Sequence, residues 1–435
     1  MRKETVEIKK MGINGEGIGY VNQKVVFVKG ALLGEQVEVE IVASNKNYEE
    51  GKLCSISKRS THRCKPKCEQ SDTCQGCSLL HMPYRDQLRY KEDIVKQSLR
   101  KYTNYNLSSC TFRSIVPCPP ADGFMTSINV PIVRFKNTIT FGIYQRNTQH
   151  LTVIAKCMKL DLEMQACLEK LSAIFTIHGC KTYSDRTKTG LRFLKMRRVD
   201  KALQAVIITG RDALPEAVIA DIKKIKQVKG LFVSRNTSRY QNFEDAGYTK
   251  IFGETKLPWY YNDHKYLVSI KSLSASNYLM DTHKMDAMLG MVSDSQRILS
   301  IGCGIGAMEL ESQKEVVAFD AVKSHIEDAK VNQKWAKNTQ VKFIYNNVEQ
   351  QVVSHAKQKK YDTFVLQGDD TINEEIIESI IHSKAKYIIY SSDVHFTMAK
   401  NLASLQRYYR LLEVITIDSD KYTPYVTTLV KLQRK

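Results

Sequence analysis

The sequence predicts an α/β chain in three parts: a small antiparallel β-barrel, an α+β middle domain, and a Rossmann-like, doubly wound sheet. Three observations carry this. Residues 5 to 58 alternate apolar and polar positions in short runs, strand-like and helix-like runs mix from about 124 to 265, and strands alternate regularly with helices after 266. The expected divisions are 1–60, 61–265 and 266–435, and 435 residues are more than one ordinary core organises.

The barrel is read from the runs VEIKK, KVVFVKG, QVEVEIV and KLCSIS, separated by the glycine-rich turns GINGEGIGY and GALLGE. Lysines and arginines stand on or beside these strands, as in many oligonucleotide-binding barrels. A barrel that only packs against its neighbour fits this stretch equally well. The chain as a whole carries 65 Lys and Arg against 46 Asp and Glu, a net charge of +19 spread along its length. That balance points to a polyanionic partner, nucleic acid before a membrane surface.

Next comes CKPKCEQSDTCQGCSLLH, which places Cys64, Cys68, Cys74 and Cys77, four of the 11 cysteines, in one short segment with a C-x5-C-x2-C ending. The opening MRKETVEIKK has no apolar stretch of the signal-peptide kind, and no apolar run approaches the roughly 18 residues of a membrane span. A soluble, cytoplasmic protein without a membrane partner is expected. In a reducing compartment clustered thiols hold metal or stay free more often than they form disulfides. Zinc, an iron-sulfur cluster and free thiols all remain open on spacing alone.

A helix-like stretch, YRDQLRYKEDIVKQSLRKY, and a proline-rich break, VPCPPADG, lead into the middle domain. There the runs ITFGIY, ALQAVIIT and GLFVS read as strands, with one helical segment near LPEAVIADIKKIKQV. After 266 the order is a helix at DTHKMDAMLGMVSD, a strand at RILSIG, the turn CGIGAMEL, a strand at EVVAFD and a helix at SHIEDAKVNQKWAKN. Sheets of this kind bind ligands at the carboxyl ends of their strands. Gly302, Gly304 and Gly306 let backbone approach a ligand there, and Asp320 ends the second strand, where a carboxylate can accept two ribose hydroxyls.

Barrel, cysteine segment, middle domain and nucleoside-type sheet, in that order, resemble the tRNA and rRNA uracil-5-methyltransferases. The front barrel looks like that family's TRAM domain, an RNA-binding module, and CEQSDTCQGCSLLHMPYRDQLRYK resembles its iron-sulfur segment. In the family a fourth cysteine follows a Gly-hydrophobic-Tyr strand and a histidine, and FGIYQRNTQHLTVIAKCMKLD places Cys157 there. The resemblance therefore implies a [4Fe-4S] cluster on Cys68, Cys74, Cys77 and Cys157, with Cys64 spare and zinc as the rival. It also implies a C-terminal S-adenosyl-L-methionine-dependent methyltransferase domain of class I, RNA (rRNA or tRNA) as partner, and action as a monomer.

The family adds a cysteine thiolate to carbon 6 of uracil, transfers the methyl group to carbon 5, and removes the carbon 5 proton with a base. Its nucleophile lies in a tyrosine-valine-serine-cysteine-asparagine-proline run, matched here by YIIYSSDVHFTMAKNLASL, with Asp393 at the cysteine position. The base glutamate of its histidine-valine-glutamate motif is matched by Thr427. The aspartate-proline-proline-arginine loop becomes LQGDDTINEE, and the aspartate that begins the glycine loop is Ser300. The motif with the cofactor glutamine is matched by Leu273, Ser274, Ala275, Ser276 and Asn277, of which only Asn277 agrees.

Gly302, Gly304, Gly306, Asp320 and Asn277 are the expected cofactor contacts, and no catalytic residue is carried over. Cys303 reads as packing. His395, two residues beyond Asp393, suggests an acid-base pair, although two solvated side chains are the commoner arrangement. The expectation is an RNA-binding member of the family that does not form 5-methyluridine. The alternative is an active RNA methyltransferase with an altered target atom, since a ring nitrogen, an exocyclic amine or a ribose hydroxyl needs no covalent adduct.

Overall fold

The computed structural model describes residues 2–74, 76–119, 122–144, 151–154, 156–238, 247–272 and 277–435. The first sheet has six strands, in the spatial order Lys3–Glu7, Gln36–Ser44, Tyr48–Lys58, Lys24–Val28, Gly17–Val21 and Lys10–Met11. Its two outermost strands are consecutive in the chain, so the sheet curls back on itself as a barrel. Alternation in QVEVEIV buries Val37 and Val39 with Val6, Val26 and Val28 inside it. Gly19 is required at the seam, because a Cβ there would stand 2.5 Å from the carbonyl oxygen of Glu7.

The middle sheet has seven strands: Leu151–Val153, Thr138–Tyr144, Ser127–Phe135, Leu191–Val199, Ala202–Thr209, Val228–Arg235 and Thr249–Gly253. Among the described residues only Ala202–Thr209 and Val228–Arg235 run parallel, and the helix Glu216–Lys223 connects them. A second helix, Leu162–Ile177, was not expected from the sequence. Asp161 caps it by accepting from the N–H groups of Glu163 and Met164, and its Met164, Leu168, Leu171 and Phe175 face the sheet at helical spacing.

The C-terminal sheet orders its strands Val341–Ile344, Glu315–Phe319, Arg297–Ile301, Thr363–Gln367, Tyr387–Ser392, Thr427–Arg434 and Tyr409–Ile417. The first five are parallel, as the β and α alternation requires, and Thr427–Arg434 is antiparallel to both its neighbours. A short strand from far upstream, Thr111–Phe112, joins the edge beside Tyr409–Ile417. The helix Tyr84–Tyr102 buries Ile94, Val95 and Leu99 in the same core as Tyr390, Leu402 and Val430. Among the described residues no helix is long and apolar enough to cross a membrane.

The turn at Asp418 to Thr423 ties these parts together. Lys91 and Asp418, both fully buried, form an ion pair, and Tyr84 donates to the other carboxylate oxygen at 2.6 Å. Lys159 of the middle region pairs with Asp420 at 2.5 Å, and Leu79 of the cysteine segment donates to the carbonyl of Tyr422 at 2.9 Å. The loop at Gly12 to Glu16 closes the contact from the barrel side, with the Tyr90 hydroxyl donating to the carbonyl of Gly12.

Candidate functional site

The strand Arg297–Ile301 ends in the loop Gly302 to Gly306, and the helix Ala307–Glu311 follows. Two of its glycines are forced by their neighbours. A Cβ at Gly302, where φ is +79°, would stand 2.0 Å from the carbonyl oxygen of Gln367, and one at Gly306 would strike the ring of Phe343 at 2.4 Å. Gly304, with φ +55°, faces open space. It is the one position of the three where a ligand could lie against bare backbone.

Asp320 stands beside this loop. Its Oδ2 accepts from the N–H of Gly304 at 2.9 Å and its Oδ1 from the N–H of Val322 at 2.8 Å, with His325 Nδ1 at 3.1 Å. Gly302, Gly304, Gly306 and Asp320 are thus brought together at the carboxyl ends of adjacent strands. Asn277 is buried and otherwise engaged: it caps the helix Tyr278–Met291, and its amide lies 3.4 Å from the carbonyl of Ser419 and 3.4 Å from the Cys118 sulfur. Leu273, Ser274, Ala275 and Ser276 lie outside the described residues. Burial pushes the Cys303 thiol well up, as befits a packing residue.

Sequence reading missed Glu309. It is fully buried below the loop, where Ser300 donates to its Oε1 at 2.6 Å while its Oε2 has no partner among the described residues. Burial, seconded by the charge of Asp320, raises its carboxyl to about 7, against the pull of Ser300 and Lys284. A carboxyl is therefore present at this strand end even though Ser300 is not acidic. The available signal was a single acidic residue inside the apolar run Ala307, Met308, Leu310.

At the end of the strand Tyr387–Ser392, Asp393 is exposed and Thr427 is buried, and they meet: the Thr427 hydroxyl donates to Asp393 Oδ1 at 2.5 Å. Asp369 braces the turn, accepting from the Asp393 N–H at 2.6 Å and the Ser392 hydroxyl at 2.8 Å. Asp281 is near enough that burial, with the charge of Asp393 added, raises its carboxyl to about 7. Neither Asp369 nor Asp281 was singled out from sequence. His395 takes no part, because it is buried, bonded through Nδ1 to the Ser98 hydroxyl at 2.8 Å, and lowered by burial to about 4. It is a neutral packing residue.

Cys68, Cys74, Cys77 and Cys157 lie in one neighbourhood, near enough to feel one another's charge, but not gathered into a metal-holding group. The helix Ser71–Cys74 lies against Leu151–Val153, with Gln70 donating to the carbonyl of Val153 at 3.1 Å and Thr152 to that of Thr73 at 3.1 Å. Burial raises the Cys74 and Cys77 thiols, Cys77 to about 12, and the charge of Cys157 adds to both shifts. Among the described residues no three His, Cys, Asp or Glu side chains stand close enough to hold a metal ion. The Cys64 thiol lies 3.7 Å from the carbonyl of Leu80.

A curled barrel followed by a glycine-loop sheet of this strand order defines a TRAM-bearing protein of methyltransferase fold. The TRAM domain model matches residues 2–54. An uncharacterized RNA methyltransferase of Streptococcus pyogenes serotype M3 is 24% identical over 448 residues, covering 100% of this chain and 98% of the relative. One from Bacillus cereus is 27% identical over 446 residues, covering 99% and 96%. The tRNA (uracil-54, C5)-methyltransferase of Pyrococcus abyssi, solved in complex with S-adenosyl-L-homocysteine, superposes with a TM-score of 0.78 at 19% identity, covering 99% of this chain and 100% of that one. Along its whole length the chain is similar to proteins named RNA methyltransferases, and it shares the fold of the Pyrococcus abyssi enzyme.

Proposed function

We propose that this protein binds rRNA or tRNA and does not form 5-methyluridine. One observation carries the reading: the positions matched to the family's nucleophile and base meet in space, and they hold Asp393 and Thr427. A carboxylate is too hard a nucleophile to add to carbon 6 and leave again, and a threonine hydroxyl is too weak a base to remove the carbon 5 proton. The net charge of +19 and the TRAM match support contact with RNA, chiefly through phosphates.

The same sheet supports a second reading, an active methyltransferase with a different target atom. No described atom lies within 4 Å of where a Cβ on Gly304 would stand, and Asp320 accepts from its N–H, which supports a ligand site at this loop. On this reading the cofactor site comprises Gly302, Gly304, Gly306, Asp320 and Asn277, with Gly302 and Gly306 shaping the loop, Gly304 and Asp320 facing the ligand, and Asn277 contributing as the cap of the helix Tyr278–Met291. The divisions 1–60, 61–265 and 266–435, a cytoplasmic location and a monomeric state complete the proposal.

We assign Cys68, Cys74, Cys77 and Cys157 to a [4Fe-4S] cluster. Four thiols from two neighbouring segments fit that group in donor type although they do not stand gathered around a common point, and the cluster would pin the cysteine segment to the middle domain. Zinc is the rival for the same four donors.

Calorimetric titration with S-adenosyl-L-methionine and S-adenosyl-L-homocysteine, on protein purified without oxygen, separates the two readings. Absence of binding at millimolar ligand supports a retained scaffold that holds RNA. Micromolar binding supports the altered methyltransferase and directs a search for the modified nucleotide. RNA affinity should fall steeply with salt. Absence of RNA binding even at low salt overturns both.

A further inference from the structure

The strands Lys256–Tyr261 and His264–Ser269 form a hairpin whose register sets Tyr260 directly opposite Lys265 on one face. That face is turned outward: Tyr260 is 53% exposed and Lys265 is exposed, while Tyr261 and Tyr266 on the other face are buried. The helix Lys323–Ala336 holds the hairpin by its packed side. Asp328 pairs with Lys256 at 2.8 Å and accepts from the N–H of Ser269 at 2.7 Å, and Asn332 accepts from the N–H of Leu267 at 2.7 Å and donates to its carbonyl at 3.2 Å. Beyond them Trp335 lies beside the hairpin, with the Lys265 ammonium 4.9 Å from its ring centre, and the residue is still 60% exposed.

Lys330, Lys334 and Lys337, all exposed, follow at i, i+4 and i+7 and make a row along the outward side of this helix and its end. The carboxylates of the helix are spent elsewhere, Asp328 on Lys256 and Glu327 on Lys323 at 3.8 Å. Asp263, at the hairpin tip, is outweighed by the four lysines. A lone exposed aromatic residue is ordinary, but here two flank one lysine beside a row of three more. Rings that stack bases and cations that track phosphates are the makeup of a surface for single-stranded nucleic acid. Asp320 and the glycine loop stand at the start of the helix, and Trp335 lies about 18 Å along it. Asp393 ends a strand three places across the sheet from Glu315–Phe319, so the patch is separate from both sites described above.

We propose that Tyr260, Lys265 and Trp335, with Lys330, Lys334 and Lys337, form a further RNA contact surface, on which an unpaired segment stacks bases against the two rings and lays its phosphates along the lysine row. The inference rests on the RNA-binding reading above and adds where a single-stranded part of that RNA lies. A polyanion fits this patch better than a second copy of the chain, because a self-complementary contact would set the same four lysines against one another.

The test is titration of the full chain at low salt with a short labelled oligouridine, following anisotropy and tryptophan emission together. The chain has two tryptophans, and Trp259 is packed against Tyr261 and Tyr266, so Trp335 is the exposed reporter. Binding should quench emission in the wild type and in Trp259→Phe, and leave it unchanged in Trp335→Phe. Trp335→Ala, at an exposed position, should weaken binding about five-fold or more, the lower end of what one base stacked on a ring supplies. Lys334→Gln with Lys337→Gln should flatten the fall of log affinity with log salt by about 0.7 for each lysine. Binding without quenching, an affinity unchanged in Trp335→Ala, or binding to bulk tRNA but not to the oligouridine overturns the inference while leaving RNA binding intact. Emission that falls with protein concentration alone assigns the patch to a second copy and overturns it too. Absence of binding to the oligouridine and to bulk tRNA alike overturns the RNA-binding reading itself.

Discussion

Ser300, at the end of its strand, donates a hydrogen bond of 2.6 Å to Glu309 on the helix beyond the glycine loop. This contact keeps a carboxyl beneath the loop, supplied from the helix and not from the strand. Among the described residues its second oxygen has no partner, so the buried group is costly to ionise.

Glu309→Gln should therefore change stability in a pH-dependent way. The folded carboxyl titrates near 7, above the ordinary 4.5. Below about pH 4.5 both folded and unfolded forms are protonated, and no penalty exists. As pH rises towards 7 the unfolded chain ionises first, so folding loses stability, by at most about 3 kcal/mol. Glutamine keeps an acceptor for Ser300 and removes that loss. Denaturation at pH 4.5 and pH 8 should show the variant gaining on the wild type at the higher pH, and an equal difference at both would refute the assignment.

The fold was legible because its signals are local. Period-two runs marked the barrel, and glycines at 302, 304 and 306 marked a turn whose crowding against Gln367 and Phe343 permits no Cβ at two of them. Asp393 and Thr427 were found through the matched motifs. Glu309, Asp281 and Asp369 were not, because their significance lies in what surrounds them. A carboxylate is ordinary in sequence and becomes unusual only when folding buries it or sets another beside it. The helix Leu162–Ile177 escaped because its apolar face is interrupted by polar residues that one turn places outward.

His395 tests whether the polar turn around Asp393 has acid-base capacity. Its imidazole is lowered to about 4 by burial, and Nδ1 is held by Ser98. Proton NMR should show this ring unchanged between pH 8 and pH 5, where an ordinary histidine titrates. The unfolded chain would bind that proton near pH 6.5, so the native state should lose stability as pH falls from 6.5 towards 4. A ring titrating above pH 6 would reopen a catalytic role.

Lys91 and Asp418 carry the joint between the helix Tyr84–Tyr102 and the sheet, and neither has any exposed surface. Removing one partner strands the other. Lys91→Met should cost about 3–5 kcal/mol, although Tyr84 still donates to the carboxylate. Lys91→Met with Asp418→Leu should cost less than the sum of the single changes by at least about 1 kcal/mol. Urea denaturation of the four proteins measures this coupling, and strict additivity would mean that the pair contributes nothing as a pair.

The assignment of the cysteines makes the last prediction. Cys68, Cys74 and Cys77 come from one segment and Cys157 from another, held together by the Gln70 and Thr152 hydrogen bonds. Protein prepared without oxygen should carry iron and acid-labile sulfide in near-equal amounts, as a [4Fe-4S] cluster requires. Cys157→Ser should lose most of that iron, because it removes the ligand that closes the set. Cys64→Ser should keep it, since its thiol faces the carbonyl of Leu80. Zinc in place of iron, with the same dependence on Cys157, would establish the four donors and exchange the metal. Retention of iron by Cys157→Ser, or its loss from Cys64→Ser, would refute this set of ligands.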